Sequence, residues 1–282
     1  MVTLPKAWLD RWEGQDIFER VFALEGEVYR KQQGRTTLRF AFNGKHYFVK
    51  IHRGIGWKEI AKNLLQFRLP LLGAQNEWQA IQHLEELNIH TMPLVGYGKR
   101  GWNPAHLQSF VITEELADTL SLEDFCRDWP IAPPSLILKR ALIRQVAQIA
   151  RKLHEHGMNH RDLYICHFLL DVSPGQDKVD PRSLRLYLID LHRMQIRSHI
   201  PSRWRIKDIA ALYFSSMDIG LTKGDILRFM RVYRNIPLRA TLKEDSVFWR
   251  KVEKRALALY RKHFRKNPVL LCDSMFGSYE KE

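Results

Sequence analysis

Cysteine is scarce in this sequence. Of 282 residues only 3 are cysteines, Cys126, Cys166 and Cys272. An odd number spaced so widely offers neither a disulfide framework nor the paired ligands of a zinc site. Glycine and proline, 15 and 12 residues, fall singly rather than as a linker or low-complexity tract. There is no internal repeat, and no apolar run is long enough for a bilayer-spanning helix. The start, Met1-Val2-Thr3-Leu4-Pro5-Lys6-Ala7-Trp8, lacks the basic-then-apolar order of a secretory signal. These absences lead to the expectation of a reduced, cytosolic protein. Acidic residues are also in deficit, 31 Asp and Glu against 45 Lys and Arg, for a net charge of +14. Such an excess favours an anionic partner: nucleic acid, an acidic protein, a phosphorylated lipid or a membrane surface. A solvated basic surface is the plainer account, and no recognised nucleic-acid module accompanies the charge.

What is present divides into two patterns, enough chain for two lobes. From Leu24 the period is that of strands. Thr37-Leu38-Arg39-Phe40-Ala41-Phe42 alternates, Asn43-Gly44 follows, and Lys45-His46-Tyr47-Phe48-Val49-Lys50-Ile51 continues. Asn-Gly between alternating runs predicts a hairpin. Residues 75–88 carry Trp78, Ile81, Leu84 and Leu87 on one helical face, and Phe110-Val111-Ile112-Thr113 is a short strand. The remainder is mostly helical. Ser135 caps a predicted helix that Gly157 ends, with Leu138, Leu142, Val146, Ile149 and Leu153 on one face. A hairpin is predicted from Phe168-Leu169-Leu170 and the run 184–190, then helices over 207–217, 222–234 and 247–265. The expected fold class is α+β, with a β-rich lobe over 1–116 and a mainly helical one over 117–282.

Between the Gly157 stop and the second hairpin lies Asn159-His160-Arg161-Asp162-Leu163-Tyr164-Ile165-Cys166-His167. His-Arg-Asp after a long helix, followed by two strands ending in Asp190, resembles the catalytic loop of protein kinases and implies their bilobal fold. Phosphoryl transfer explains the residue types, since positioning and charge neutralisation do most of the catalysis. Asp162 is the candidate carboxylate beside the acceptor hydroxyl, with His160 and Arg161 as its catalytic-loop companions. Asp190 is a hard oxygen ligand for Mg²⁺. Lys50 resembles the strand lysine that touches ATP phosphates, with Glu77 as its acidic partner and Glu85 and Glu86 as alternatives. Glu114 and Leu116, after the last strand of the first lobe, are candidate nucleotide contacts. There are departures. His167 stands where the kinase pattern has a magnesium-binding Asn. Arg30-Lys31-Gln32-Gln33-Gly34-Arg35-Thr36 holds one glycine, which leaves backbone amides and Arg35 to cover the phosphates. The family's Asp-Phe-Gly is Asp190-Leu191-His192.

The resemblance then narrows. Asn159 through Leu170, Ile189-Asp190-Leu191-His192-Arg193, Leu212-Tyr213-Phe214-Ser215-Ser216-Met217 and Ser121-Leu122-Glu123-Asp124-Phe125-Cys126 resemble the bacterial lipopolysaccharide core heptose(I) kinases. That family resemblance implies transfer of the ATP γ-phosphate to O4 of the first inner-core heptose, with His167 as the family's own usage beside Asp190. It implies Asp208 as the helix aspartate bracing the catalytic loop, against the alternative of an N-terminal helix acid. It also implies a lipopolysaccharide acceptor bearing phosphates and Kdo carboxylates, an enzyme peripheral on the cytoplasmic face of the inner membrane, and acyl carrier protein as an acidic partner. Segment 57–72 has Ile60, Leu64 and Phe67 on one face and Lys58, Lys62 and Gln66 on another. It is expected either to lie on a lipid surface or to pack on the first lobe. A protein Ser/Thr/Tyr kinase and a non-catalytic basic scaffold are the alternative functions.

Overall fold

Asn43 and Gly44 both adopt positive φ, 50° and 77°, and close the turn between strands Arg35–Phe42 and Lys45–His52. Few other residue pairs tolerate that geometry, so the strongest local signal in the sequence seeds the sheet where expected. The computed structural model describes residues 1–32, 34–65 and 73–268. It has two compact units, Met1–Ala117 with Leu191–Arg193, and Asp118–Asp190 with the chain from Met194 onward. Among the described residues, no helix is long and apolar enough to cross a membrane.

The first unit contains β1 (Val2–Thr3), α1 (Lys6–Arg11), α2 (Ile17–Phe22), β2 (Glu27–Gln32), β3 (Arg35–Phe42), β4 (Lys45–His52), α3 (Gly56–Leu65), α4 (Gln75–Glu86), β5 (Leu94–Arg100) and β6 (Gln108–Glu114). Its strands form one antiparallel sheet in the order β1-β5-β6-β4-β3-β2. Alternation along β4 sends Tyr47, Val49 and Ile51 to one face and Lys50 to the other. On the first face these residues are buried in one cluster with Leu4, Trp8, Trp12, Phe18 and Val21. On the second, Lys50 pairs across the sheet with Val111 and Val111 with Tyr97. The Tyr97 ring in turn stacks on Trp78 of α4 at 4.8 Å.

Helices α1 and α2 are absent from the sequence reading, which identifies elements of the first lobe only from Leu24 on. Each has 6 residues, too short for periodicity to declare. Asp16 nevertheless caps α2, its carboxylate accepting from the Phe18 and Glu19 amides at 2.7 and 3.1 Å. Strand β5 also escapes alternation because glycines occupy 96 and 98; a Cβ at 98 would lie 2.5 Å from the Phe110 ring. The segment 30–36 read as covering the phosphates includes the end of β2, which runs to Gln32, and the start of β3 at Arg35. In α3, Ile60 is buried while Trp57 and Leu65 are exposed. The apolar face expected to meet lipid therefore loses Ile60 to the protein interior. The Leu64 side chain, Gln66, Phe67 and Arg68 lie outside the described residues.

The second unit contains β7 (Thr119–Ser121), α5 (Leu122–Phe125), α6 (Leu136–Glu155), β8 (Met158–Asn159), β9 (Phe168–Asp171), β10 (Leu186–Leu188), β11 (Gln195–Ile196), α7 (Ser202–Ser215), α8 (Lys223–Arg234), α9 (Leu238–Glu244) and α10 (Ser246–Phe264). Ser135 caps α6 through the Leu138 amide, and Leu142, Val146, Ile149 and Leu153 are buried. A buried ion pair, Lys139 to Asp225 at 2.8 Å, ties α6 to α8. Leu142, Val146, Phe229 and Met230 line an apolar cavity of roughly 100 Å³. Helix α7 begins at Ser202, well before the predicted 207, because Pro201 sets the entry and needs no amide there.

Gly157 ends α6 at φ 76°, and a Cβ there would lie 1.7 Å from the Arg197 carbonyl oxygen. That carbonyl belongs to the chain following β11, which is paired to β8. Gly157→Ala is expected to destabilise the protein by at least ~2 kcal/mol, since left-handed strain adds to a clash with rigid backbone. The midpoint of urea denaturation checks this.

Candidate active site

Within the first unit the position of Lys50 follows from strand parity, and that of Glu77 from helix periodicity. Glu77, Ile81 and Leu84 share one face of α4 and are all buried, whereas Glu85 and Glu86 are exposed. The Lys50 ammonium donates to Glu77 Oε1 at 2.5 Å, with the Glu77 side chain 2% exposed. A carboxylate buried this deeply requires a cationic partner, and Lys50 supplies it. Of the three acids that sequence left open, only Glu77 is brought to the lysine.

The other expected nucleotide contacts have varied settings. Arg35 opens β3, opposite His52 of β4. Glu114 closes β6 and pairs with Lys45 at 2.8 Å in a partly exposed bridge. Leu116 follows Glu115, its partner in the Glu115-Leu116 pair that shares the family resemblance. Arg39 holds Glu115 in a two-pronged pair, with its Nε and Nη2 donating at 2.9 and 2.8 Å. The Glu115 amide donates to the His46 carbonyl, so the chain leaving the sheet is held by both backbone and side chain.

His52 lies on β4 two residues beyond Lys50 and is buried. Burial, then the charges of Arg35, Lys50 and His192, push its protonation down to about 3 from an ordinary 6.5. The unfolded chain thus binds a proton between about pH 3 and 6.5 that the folded chain refuses. Stability therefore rises with pH across that window and is lost on acidification through it. The urea midpoint should fall between pH 7 and pH 4, and His52→Gln should flatten that dependence.

In the second unit the loop after β8 hangs from α7. Asp208 has no exposed surface, and its two carboxylate oxygens accept the backbone amides of His160 and Arg161 at 2.6 and 2.8 Å. It lies in mid-helix, and the first turn of α7 holds no acid, so the alternative of an N-terminal helix acid does not describe it. His154, absent from the sequence reading, backs Asp208 from α6 with Nε2 at 3.4 Å, while the Tyr233 hydroxyl lies 2.7 Å from its Nδ1. Ser215 accepts the Ile165 amide at 3.0 Å and pins the far end of the loop.

His160 is wholly buried. Its Nε2–H donates to the Ile189 carbonyl at 3.0 Å, which fixes the backbone just before Asp190. Burial depresses its protonation, with Asp208 opposing, so the ring is a neutral donor. The grouping of His160 with the reacting residues is corrected accordingly: this contact makes it a positioning residue. Arg161 and Asp190 both take positive φ, 76° and 61°. Such conformations cost of order 1 kcal/mol each in a non-glycine residue and persist only where surrounding contacts hold them.

His167 stacks on His160 with centroids 5.8 Å apart. Its Nδ1 lies 2.8 Å from the Asp162 carbonyl oxygen, to which it donates. That bond selects the tautomer whose Nε2 carries a lone pair, and Nε2 lies 3.6 Å from Asp190 Oδ2. The two sit side by side as an oxygen and a nitrogen donor. Among the described residues, no three His, Cys, Asp or Glu side chains form a metal-binding group. A cage is not what magnesium asks for. It takes one or two protein oxygens and completes its shell with water and phosphate, so the residues present fit the ion.

Comparison with known proteins identifies the family. The profile described as Lipopolysaccharide kinase (Kdo/WaaP) family matches residues 19–233. A lipopolysaccharide core heptose(I) kinase WaaP of Pseudomonas aeruginosa is 53% identical over 259 residues, covering 92% of this chain and 96% of that protein. An Escherichia coli protein of the same name is 48% identical over 267 residues, 95% of this chain and 100% of that one. A solved structure, WaaP in complex with acyl carrier protein, is 47% identical with a TM-score of 0.79 and covers 92% of this chain and 99% of that chain. With a profile spanning residues 19–233 and relatives about half identical along nearly their whole lengths, this chain belongs to the lipopolysaccharide kinase (Kdo/WaaP) family.

Proposed function

We propose that this chain is an ATP-dependent phosphotransferase that phosphorylates O4 of the first heptose of the lipopolysaccharide inner core. The observation that carries the reading is the 53% identity to a named heptose(I) kinase over 92% of the chain. The residue roles are supported by the geometry within each unit. Lys50, held by Glu77, binds ATP phosphates, with Arg35 as a second cation and the backbone at Glu114 to Leu116 as the adenine edge. Asp162 orients the heptose hydroxyl and takes its proton as the oxygen–phosphorus bond forms. Asp190 would hold magnesium with His167 beside it, and the ion, when bound, neutralises charge on the β- and γ-phosphates. Asp208 and His160 touch no reactant in this scheme. They hold the loop and the end of the strand before Asp190, so that little reorganisation is left to the transition state.

Two further parts of the reading concern partners. A relative is known in complex with acyl carrier protein, and we extend that partner to this chain, whose net charge of +14 suits an acidic surface. The apolar cavity of the second unit is the described compartment whose polarity matches acyl cargo. Peripheral attachment to an anionic membrane face from the cytoplasmic side would use the same charge, adding roughly 1 kcal/mol per lysine or arginine near the surface. The decisive experiment incubates the protein and magnesium with γ-labelled ATP and core lipopolysaccharide, then locates the label. Label on O4 of the first heptose is the expected result. Label on the protein alone, or none under conditions where the ATP binds, rejects the reading.

A further inference from the structure

Helix α10 carries a single acid, Glu253, and it is buried, as are Trp249, Val252, Ala256 and Tyr260. The outward side is of one sign. Arg250, Lys251, Lys254, Arg255, Arg261 and Lys262 are all exposed, and Arg265 and Lys266 continue the row past the helix end. At 3.6 residues per turn these positions fall within less than half of the helix circumference. Among the described residues none of the eight meets a carboxylate. On neighbouring helices the pattern is different: Arg151 pairs with Glu155, Arg228 with Asp225 and Arg234 with Asp245, at 3.7, 3.2 and 2.6 Å. Part of the α10 row has a reason within the chain. Arg261 and Lys262 stand in the last turn, where the helix presents its negative end. Arg250, Lys251, Lys254 and Arg255 lie in the first half, beyond that reach. They repel one another at i,i+4 spacing, 250 with 254 and 251 with 255, which costs the helix stability.

We propose that the outward face of α10 is the surface by which the chain lies on an anionic phospholipid bilayer. The proposal rests on the peripheral-attachment reading above and assigns that attachment a place. Charge complementarity fixes the sign of the occupant, and the make-up of the face fixes its kind. A protein partner is held by a desolvated centre of aromatic and arginine anchors, from which lysine is depleted. Between the cations of this row stand only Ala258 and, at its head, Val247, which is 54% exposed. Neither is an anchor of that kind. The apolar cavity of the second unit touches α10 from the other side, through Trp249, Val252 and Glu253, so the row has no pocket beneath it to receive one. A helix of 19 residues gives a straight row about 28 Å long. Long, flexible cations in such a row match a plane of phosphodiester headgroups, whose anions are mobile and need no fixed counterpart.

The test compares native protein with a quadruple variant, Arg250→Gln, Lys251→Gln, Lys254→Gln and Arg255→Gln. A second quadruple, Arg140→Gln, Arg144→Gln, Lys178→Gln and Arg182→Gln, removes the same charge from exposed sites elsewhere in the second unit. Sedimentation with vesicles of phosphatidylethanolamine and phosphatidylglycerol measures binding, and vesicles of phosphatidylethanolamine and phosphatidylcholine are the neutral reference. Native protein should bind the anionic vesicles and come off as salt rises. Each α10 charge removed should weaken binding about fivefold, so the first quadruple should lose more than about a hundredfold. The second should lose less than about tenfold, because its charges lie farther from the surface. Turnover of soluble, deacylated acceptor should stay within about twofold of native in both. The urea midpoint of the first quadruple should not fall, since its like-charge pairs are gone. Vesicle binding unchanged in that variant overturns the assignment to α10 and leaves peripheral attachment standing. No binding of native protein to anionic vesicles removes both. Equal losses in the two quadruples also overturn the proposal, because net charge alone would then account for binding. So does loss of affinity for acyl carrier protein with vesicle binding intact, which gives the face to an acidic protein.

Discussion

Asp162→Asn is expected to lower kcat by roughly a hundredfold or more while leaving the KM for ATP near its native value. The substitution keeps the side chain's shape and removes the negative charge that attracts and finally accepts the hydroxyl proton. It leaves the loop's supports in place, because they are made elsewhere. The His160 and Arg161 amides are held by Asp208, and the contact to His167 comes from the Asp162 backbone carbonyl. The loss should therefore appear in a variant that still folds. Steady-state kinetics with acceptor varied at saturating ATP, alongside a thermal melt, check both halves. A folded variant with near-native turnover would show that Asp162 is not the catalytic carboxylate.

Asp190→Ala is expected to abolish magnesium-dependent transfer altogether. In the proposed scheme Asp190 is the carboxylate ligand, and His167, a softer nitrogen donor 3.6 Å away, does not replace it. The backbone at 190 has φ 61°, which alanine tolerates less well than Asp or Asn. Some loss in Asp190→Ala would therefore come from strain. Asp190→Asn separates the two causes, since it accepts the same backbone and keeps an oxygen while losing the charge. Both variants should be inactive with magnesium, and only Asp190→Ala should lose stability, by about 1 kcal/mol. Turnover in Asp190→Asn at native magnesium concentration would remove Asp190 from the ligand role.

The parts legible from sequence alone are those decided within a few residues. Asn43-Gly44 specifies a hairpin because its φ values are local, and alternation along β4 then puts Lys50 opposite the Tyr47, Val49 and Ile51 core face. Ser135 and Gly157 delimit α6 by their capping chemistry, and the order of helix, loop and paired strands is what suggests Asp162 and Asp190 as candidates. Tertiary structure decided what depends on distant partners. Asp208 meets the amides of residues 47 and 48 positions earlier in the chain, and no local pattern separates such an acid from a solvated one. Glu77 was one of three acids on its helix until burial singled it out. His160 resembled a reacting group in the sequence; its complete burial against the Ile189 carbonyl made it a support instead. Two short helices before Leu24 became elements only because Trp8 and Phe18 had a sheet face to cover. Periodicity and capping act over one or two turns, whereas burial and charge pairing depend on which surfaces the folded chain brings together.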